Sequence, residues 1–152
     1  MSLKNDIQTK GFKSEQEKTF VNLIHTAAYF ESKFIQFIKE FDLSPQQYNV
    51  LRILRGQHPN AILSGKIQKL MLHKMSNATR LLDKLVEKGF VDRIKNKDDK
   101  RQVLISITKP GLDILYHLDE GVANFDDKIM NLSEVQLMDL NLLLDELRSS
   151  SK

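Results

Sequence analysis

Apolar residues recur every three to four positions through both ends of the chain, and every second position in one short stretch past its middle. The first helical pattern runs through Phe20, Leu23, Ile24, Ala27, Phe30, Phe34, Phe37, Ile38 and Phe41. It follows Ser14-Glu15-Gln16-Glu17, a capping box in which the Ser14 hydroxyl accepts from a first-turn amide and Glu17 reaches back. A helix from Glu15 to Phe41 is about 40 Å long at 1.5 Å per residue. That exceeds a small domain, so one end is expected to pack on something outside the local core, with a partner subunit as the sharper reading. Met1 to Lys13 are polar and read as frayed.

Ser44-Pro45-Gln46-Gln47 is a second start signal, with proline at the first helical position. Tyr48, Val50, Leu51 and Leu54 form the inner face of its helix, and Gly56 is expected to end it in a left-handed cap. Gln57 to Asn60 form a loop. Ile67, Leu70 and Met71 mark a short helix whose cap is either Leu63 or Ser64. Ser76 is expected to cap the next helix, which turns Ala78, Leu81, Leu82 and Leu85 inward and stops at Glu87-Lys88-Gly89.

The period then changes to two. Phe90–Lys95 and Gln102–Thr108 read as strands, with Val103, Ile105 and Ile107 on one face and six polar residues, Asn96–Arg101, as a hairpin tip. Thr108 can cap a helix carrying Leu115, Leu118, Val122, Phe125 and Ile129. Ser133-Glu134-Val135-Gln136 opens a last helix with Leu137, Leu140, Leu143, Leu144 and Leu147. The order is α-α-α-α-β-β-α-α, mainly α with a small β-hairpin. No internal repeat or separate linker appears.

Composition narrows the classes. The 152 residues are 41% hydrophobic and 28% charged, ordinary for one globular domain. No cysteine is present, which excludes disulfides, thiolate metal sites, a cysteine nucleophile and a thiol redox switch. No apolar run approaches the ~20 residues of a membrane span. The first eighteen residues hold no apolar signal core, so a cytoplasmic protein is expected. The net charge of +3 conceals an asymmetry: residues 62–110 hold twelve Lys and Arg against five Asp and Glu, a local +7, while the rest of the chain is −4. Such a distribution suits a docked polyanion, or a solvated lysine-rich face.

Two short helices, a tight turn and a basic hairpin make a winged helix-turn-helix. A helix fits the B-DNA major groove, where asparagine can pair bidentately with adenine and arginine with guanine. Lys74, Ser76, Asn77, Thr79 and Arg80 at the start of the second motif helix have that character. Lys97, Lys100 and Arg101 on the hairpin tip can reach the backbone or a narrow minor groove. Winged helices also serve as protein-interaction modules, so a helical dimeric adaptor that does not bind DNA is the alternative.

Leu43–Leu54, Lys74–Leu85 with Glu87-Lys88-Gly89, and Asp98-Asp99-Lys100-Arg101 followed by Val103–Thr108 and Gly111 resemble the second helix, recognition helix and wing of the multiple antibiotic resistance regulator (MarR) family. The resemblance covers nearly the whole chain. It implies a winged helix-turn-helix lobe over 44–108 and a helical dimerisation lobe over 14–42 plus 109–148. It further implies a homodimeric repressor on a pseudo-palindromic operator of double-stranded DNA, released by a small aromatic effector. Ser76, Asn77 and Arg80 would meet the major groove, Arg101 the minor groove, and Lys74, Lys97 and Lys100 the phosphates, with Asp99 orienting Arg101. Leu63 departs from the family's usual Ser or Thr cap.

His25, Tyr29, Phe30 and Tyr48 are candidates for effector contact, each also readable as core or a satisfied polar group. Asp113, His117 and Glu120 share a helix face, readable as a metal cluster or an exposed polar stripe; no metal or cofactor is expected. There is no phosphate-cradling glycine loop, zinc-protease helix or nucleophile elbow, so an enzyme is not expected.

Overall fold

The computed structural model describes residues 3–73, 77–96, 99, 102–129 and 131–149. Its elements are α1 (Leu3–Asp6), α2 (Glu15–Ile38), a 3-10 turn (Lys39–Phe41), α3 (Pro45–Arg55), β1 (Ile62–Leu63), α4 (Ser64–Leu70), α5 (Ala78–Glu87), β2 (Val91–Lys95), β3 (Val103–Ile107), α6 (Lys109–Ile129) and α7 (Glu134–Ser149). The chain packs as two compact units, the first running to Leu115 and the second from Tyr116 onward.

Most helix starts follow their predicted caps. Ser44 forms a complete capping box with Gln47, the two reciprocal bonds being 3.2 and 2.9 Å long. Ser133 and Gln136 do the same at the head of α7. Ser14 Oγ accepts from the Glu17 N–H at 3.1 Å, but the Glu17 carboxylate reaches one residue further back and accepts from the Lys13 N–H at 2.6 Å.

Five local expectations are corrected. The polar leader contains one helical turn, α1. The long helix stops at Ile38 because the chain tightens into a 3-10 turn and Asp42 then takes a left-handed φ of 51°. Gly56 is right-handed, with φ −66°; its N–H bonds to the Arg52 carbonyl, and the following amides of Gln57 and His58 continue the winding. A third strand precedes α4, so the order is not the eight-element one read from the sequence: Ile62 and Leu63 pair antiparallel with Ile105 and Leu104. Two residues are too few to show a period. Leu63 is the N-cap of α4 without a side-chain bond, and its extended backbone is that of the strand. The fifth concerns the cap of α5 and is taken up below.

The sheet order is β1-β3-β2. Val91 pairs with Ile107 and Lys95 with Val103 along the hairpin. Ile105 and Ile107 turn inward onto Val50, Leu51, Leu54, Ile67, Leu82, Leu85 and Val91, all buried. Each such side chain contributes roughly 1.5–3 kcal/mol of burial. Ile38 at the end of α2 joins this core, and Phe34 stacks on Tyr48 of α3 at 5.4 Å. Ile38 is the one buried residue of α2. Its outer length exposes Phe20 and Ile24.

In the second unit, α7 has no buried residue. Val135, Met138 and Leu142 lie at i, i+3 and i+7, and all three are more than 60% exposed.

Candidate nucleic-acid interface

The helix-turn-helix consists of α4, the turn after it, and α5. Met71 closes α4 with its N–H on the Ile67 carbonyl and is buried. The next amide, Leu72 N–H, donates to Asn49 Oδ1 of α3 at 3.0 Å. This single side chain pins the turn to the helix beneath it. His73 Nε2 lies 3.9 Å from the Glu31 carboxylate of α2, an ion pair when the imidazole is protonated.

The cap of α5 is Asn77, not Ser76. Asn77 takes an extended backbone, φ −72° and ψ 91°, and its Oδ1 accepts from the Arg80 N–H at 3.1 Å. Asparagine and serine cap about equally well, so two adjacent candidates differ only in register. Ala78 then turns inward, and Thr79 and Arg80 stand exposed. Lys74 and Ser76 lie outside the described residues.

The far end of α5 is closed by a Schellman motif. Gly89 has φ +71°, its N–H bonds to the Val86 carbonyl, and the Phe90 N–H bonds to the Leu85 carbonyl. Lys88, just before it, sends Nζ to Asp42, bonding its carbonyl oxygen and, at 2.7 Å, its carboxylate. The left-handed residue that ends the 3-10 turn is thereby tied to the end of α5.

The wing is tied to α5 as well. Arg93 of β2 bonds the Asp83 carboxylate at 2.6 Å. At the hairpin mouth, Asn96 N–H donates to the Gln102 carbonyl, while Gln102 donates from its backbone to the Asp99 carbonyl and from Nε2 to Asp99 Oδ2. The expected Asp99 therefore has Gln102 as one partner. Lys97, Lys100 and Arg101 lie outside the described residues. Asn49, Asp83, Arg93 and Gln102 were not among the predicted site residues. Asn49, Asp83 and Arg93 pair with residues outside their own element, and Gln102 pairs with Asp99 within the hairpin loop, so periodicity gives no signal for them.

Of the effector candidates, Tyr48 is buried against Phe34 with the Arg52 guanidinium 5.8 Å from its ring, a core position. Tyr29 and Phe30 meet edge to face, and Tyr29 is half exposed. A cleft of about 360 Å³ lies elsewhere, where Lys39, Ser44, Gln47 and Lys84 face one another. Among the described residues no three His, Cys, Asp or Glu side chains could hold a metal ion, and Asp113 pairs with Lys109 at 3.3 Å. No helix of the described residues is long and apolar enough to cross a membrane.

Residues 43–103, which span α3 to the first residue of β3, match the family model described as MarR family. Over that segment the chain is similar to the MarR family. It is 34% identical over 91 residues to an uncharacterized HTH-type transcriptional regulator, YpoP, of Bacillus subtilis, covering 60% of this chain and 63% of that one. It is 28% identical over 125 residues to the multiple antibiotic resistance protein MarR of Escherichia coli, covering 80% and 85%. The fold resembles the crystal structure of a mutant E. coli MarR complexed with operator DNA, with a TM-score of 0.72, 24% identity and coverage of 97% and 99%. MarR-family proteins are transcriptional regulators, not enzymes, and the described residues of this chain fold as a winged helix from α3 through β3.

Proposed function

We propose that the chain is a homodimeric repressor that binds a pseudo-palindromic operator, with one α5 in each major groove, and that a small aromatic molecule releases it. The observation that carries the reading is the start of α5. A capped first turn exposes Thr79 and Arg80 beside a basic hairpin, within a segment of local charge +7. Arg80 has the fork that reads guanine, and the surrounding lysines neutralise phosphates. Lys74, Ser76 and Asn77 enter the groove with the helix. Lys97 and Lys100 contact phosphate, and Arg101, oriented by Asp99, enters the flanking minor groove.

The division of labour follows the same reading. Residues 44–108 bind DNA, and 14–42 with 109–148 dimerise. The exposed apolar faces of α2 and of α7 support a partner subunit, because contiguous apolar surface of this kind marks an interface. Two recognition helices then meet successive major grooves about 34 Å apart. The likeness to an E. coli MarR mutant complexed with operator DNA and to an S. aureus MepR–DNA complex supports the DNA partner. The protein acts in the cytoplasm, where its operator is.

The test is a mobility shift with the DNA upstream of the chain's own coding region, with the mass of the complex measured by light scattering. A shift at the mass of two chains per duplex is expected. A dimer that shifts no duplex and selects no sequence from random DNA would point to the adaptor instead, and a monomer would overturn the homodimer itself.

A further inference from the structure

An asparagine that reads adenine uses both ends of its amide on one base edge: Nδ2 donates to N7 and Oδ1 accepts from N6. In this chain Oδ1 of Asn77 is turned back on its own helix. It accepts from the Arg80 N–H at 3.1 Å, while the Asn77 carbonyl accepts from the Leu81 N–H at 3.2 Å. The first amides of a helix have no partner within it, so this bond meets a need that nothing else in the helix supplies. Turning the amide to a base would break it. The amide that Asn77 holds belongs to Arg80, whose exposed side chain is the longest on the first turn of α5. Ala78, buried between them, fixes the same turn to the core from below.

We infer that Asn77 is a positioning residue rather than a base reader. Its Oδ1 sets the first turn of α5, so that Thr79 and Arg80 reach the groove in one orientation, and the base preference of each half-site comes from those two residues. The inference rests on the DNA-binding reading above and narrows it.

The experiment selects binding sites from random duplex DNA with the full-length wild-type chain and with Asn77→Ser, Asn77→Ala and Arg80→Ala. Serine caps a helix about as well as asparagine but cannot pair bidentately with adenine. Asn77→Ser is expected to keep the wild-type motif and bind it within about twofold. Asn77→Ala is expected to keep the motif but bind about fivefold more weakly, the loss spread evenly over its positions, as a frayed cap predicts. Arg80→Ala should lose preference at one position of each half-site. The inference is overturned if either Asn77 variant changes the preferred base at a single position, if serine fails to rescue alanine, or if alanine binds as well as wild type. Should Asn77→Ala not fold, the serine variant decides alone. A wild-type selection that returns no motif removes the DNA-binding reading itself, and this assignment with it.

Discussion

Arg93 on β2 and Asp83 on α5 join the wing to the recognition helix, with guanidinium and carboxylate 2.6 Å apart. Arg93 stands opposite Ile105, at the middle of the paired strands, so the pair fixes the body of the wing rather than its tip. Both side chains are more than a third exposed, and a pair this wet is worth at most about 1 kcal/mol. Its importance lies in geometry: the two elements proposed to meet one duplex are held in one register.

That geometry makes a prediction with a sign. Asp83→Asn removes a negative charge from the helix proposed to enter the groove and frees an arginine, so electrostatics alone would raise affinity. If the pair positions the wing, specific affinity instead falls, by about twofold to fivefold for a bridge of this strength. Anisotropy titrations with the selected operator check it, and tighter specific binding by the variant would count against the tether.

Two glycines should respond differently to alanine. Gly89 has φ +71°, and an added Cβ meets nothing within 4 Å. The change costs backbone strain alone, about 1 kcal/mol. At Gly111 the added Cβ would run into the Phe90 carbonyl oxygen and press on Ile107. That clash is with backbone and core together, and costs about 1–3 kcal/mol or more. Urea unfolding of the two variants should rank Gly111→Ala as the more damaging.

How far the residues announce the fold can be judged from such positions. Gly89 was legible, because Glu-Lys-Gly after an apolar helical face is a stop signal with a mechanism. So were the capping boxes at Ser44 and Ser133, where a hydroxyl and an amide sit three residues apart. Gly56 was not, since glycine adopts either hand and the neighbouring amides decide. Nor was β1, where Ile62 and Leu63 gain strand character only from Leu104 and Ile105, some forty residues away. In the site, periodicity found α5, while the choice of Ser76 put its cap one residue early. It was blind to Asn49 and Arg93, whose partners no local pattern encodes.

The apolar face of α7 predicts the assembly. Leu142 is 68% exposed, on the same face as Val135 and Met138. A charge introduced there has nothing to break within the exposed helix, but cannot be buried against a second copy without a large desolvation cost. Leu142→Lys should therefore leave far-ultraviolet dichroism unchanged, while light scattering at micromolar concentration falls from the mass of two chains to one. A variant that remains dimeric would move the interface off this face.

Arg101 is expected to carry the wing's contact with DNA. Arg101→Ala should weaken binding to operator and random duplex alike, and lower the salt slope by about one ion. Unchanged affinity and slope would show that the wing tip does not meet the duplex.

The central claim is sequence-specific binding to double-stranded DNA. Fluorescence anisotropy tests it most directly, with the full chain and its own upstream intergenic DNA titrated against a scrambled duplex of equal length across a salt series. The account predicts binding to the native duplex at least about a thousandfold tighter than to the scrambled one, with affinity falling steeply as salt rises. Equal, weak binding to both duplexes, followed by a selection from random DNA that enriches nothing, would contradict it.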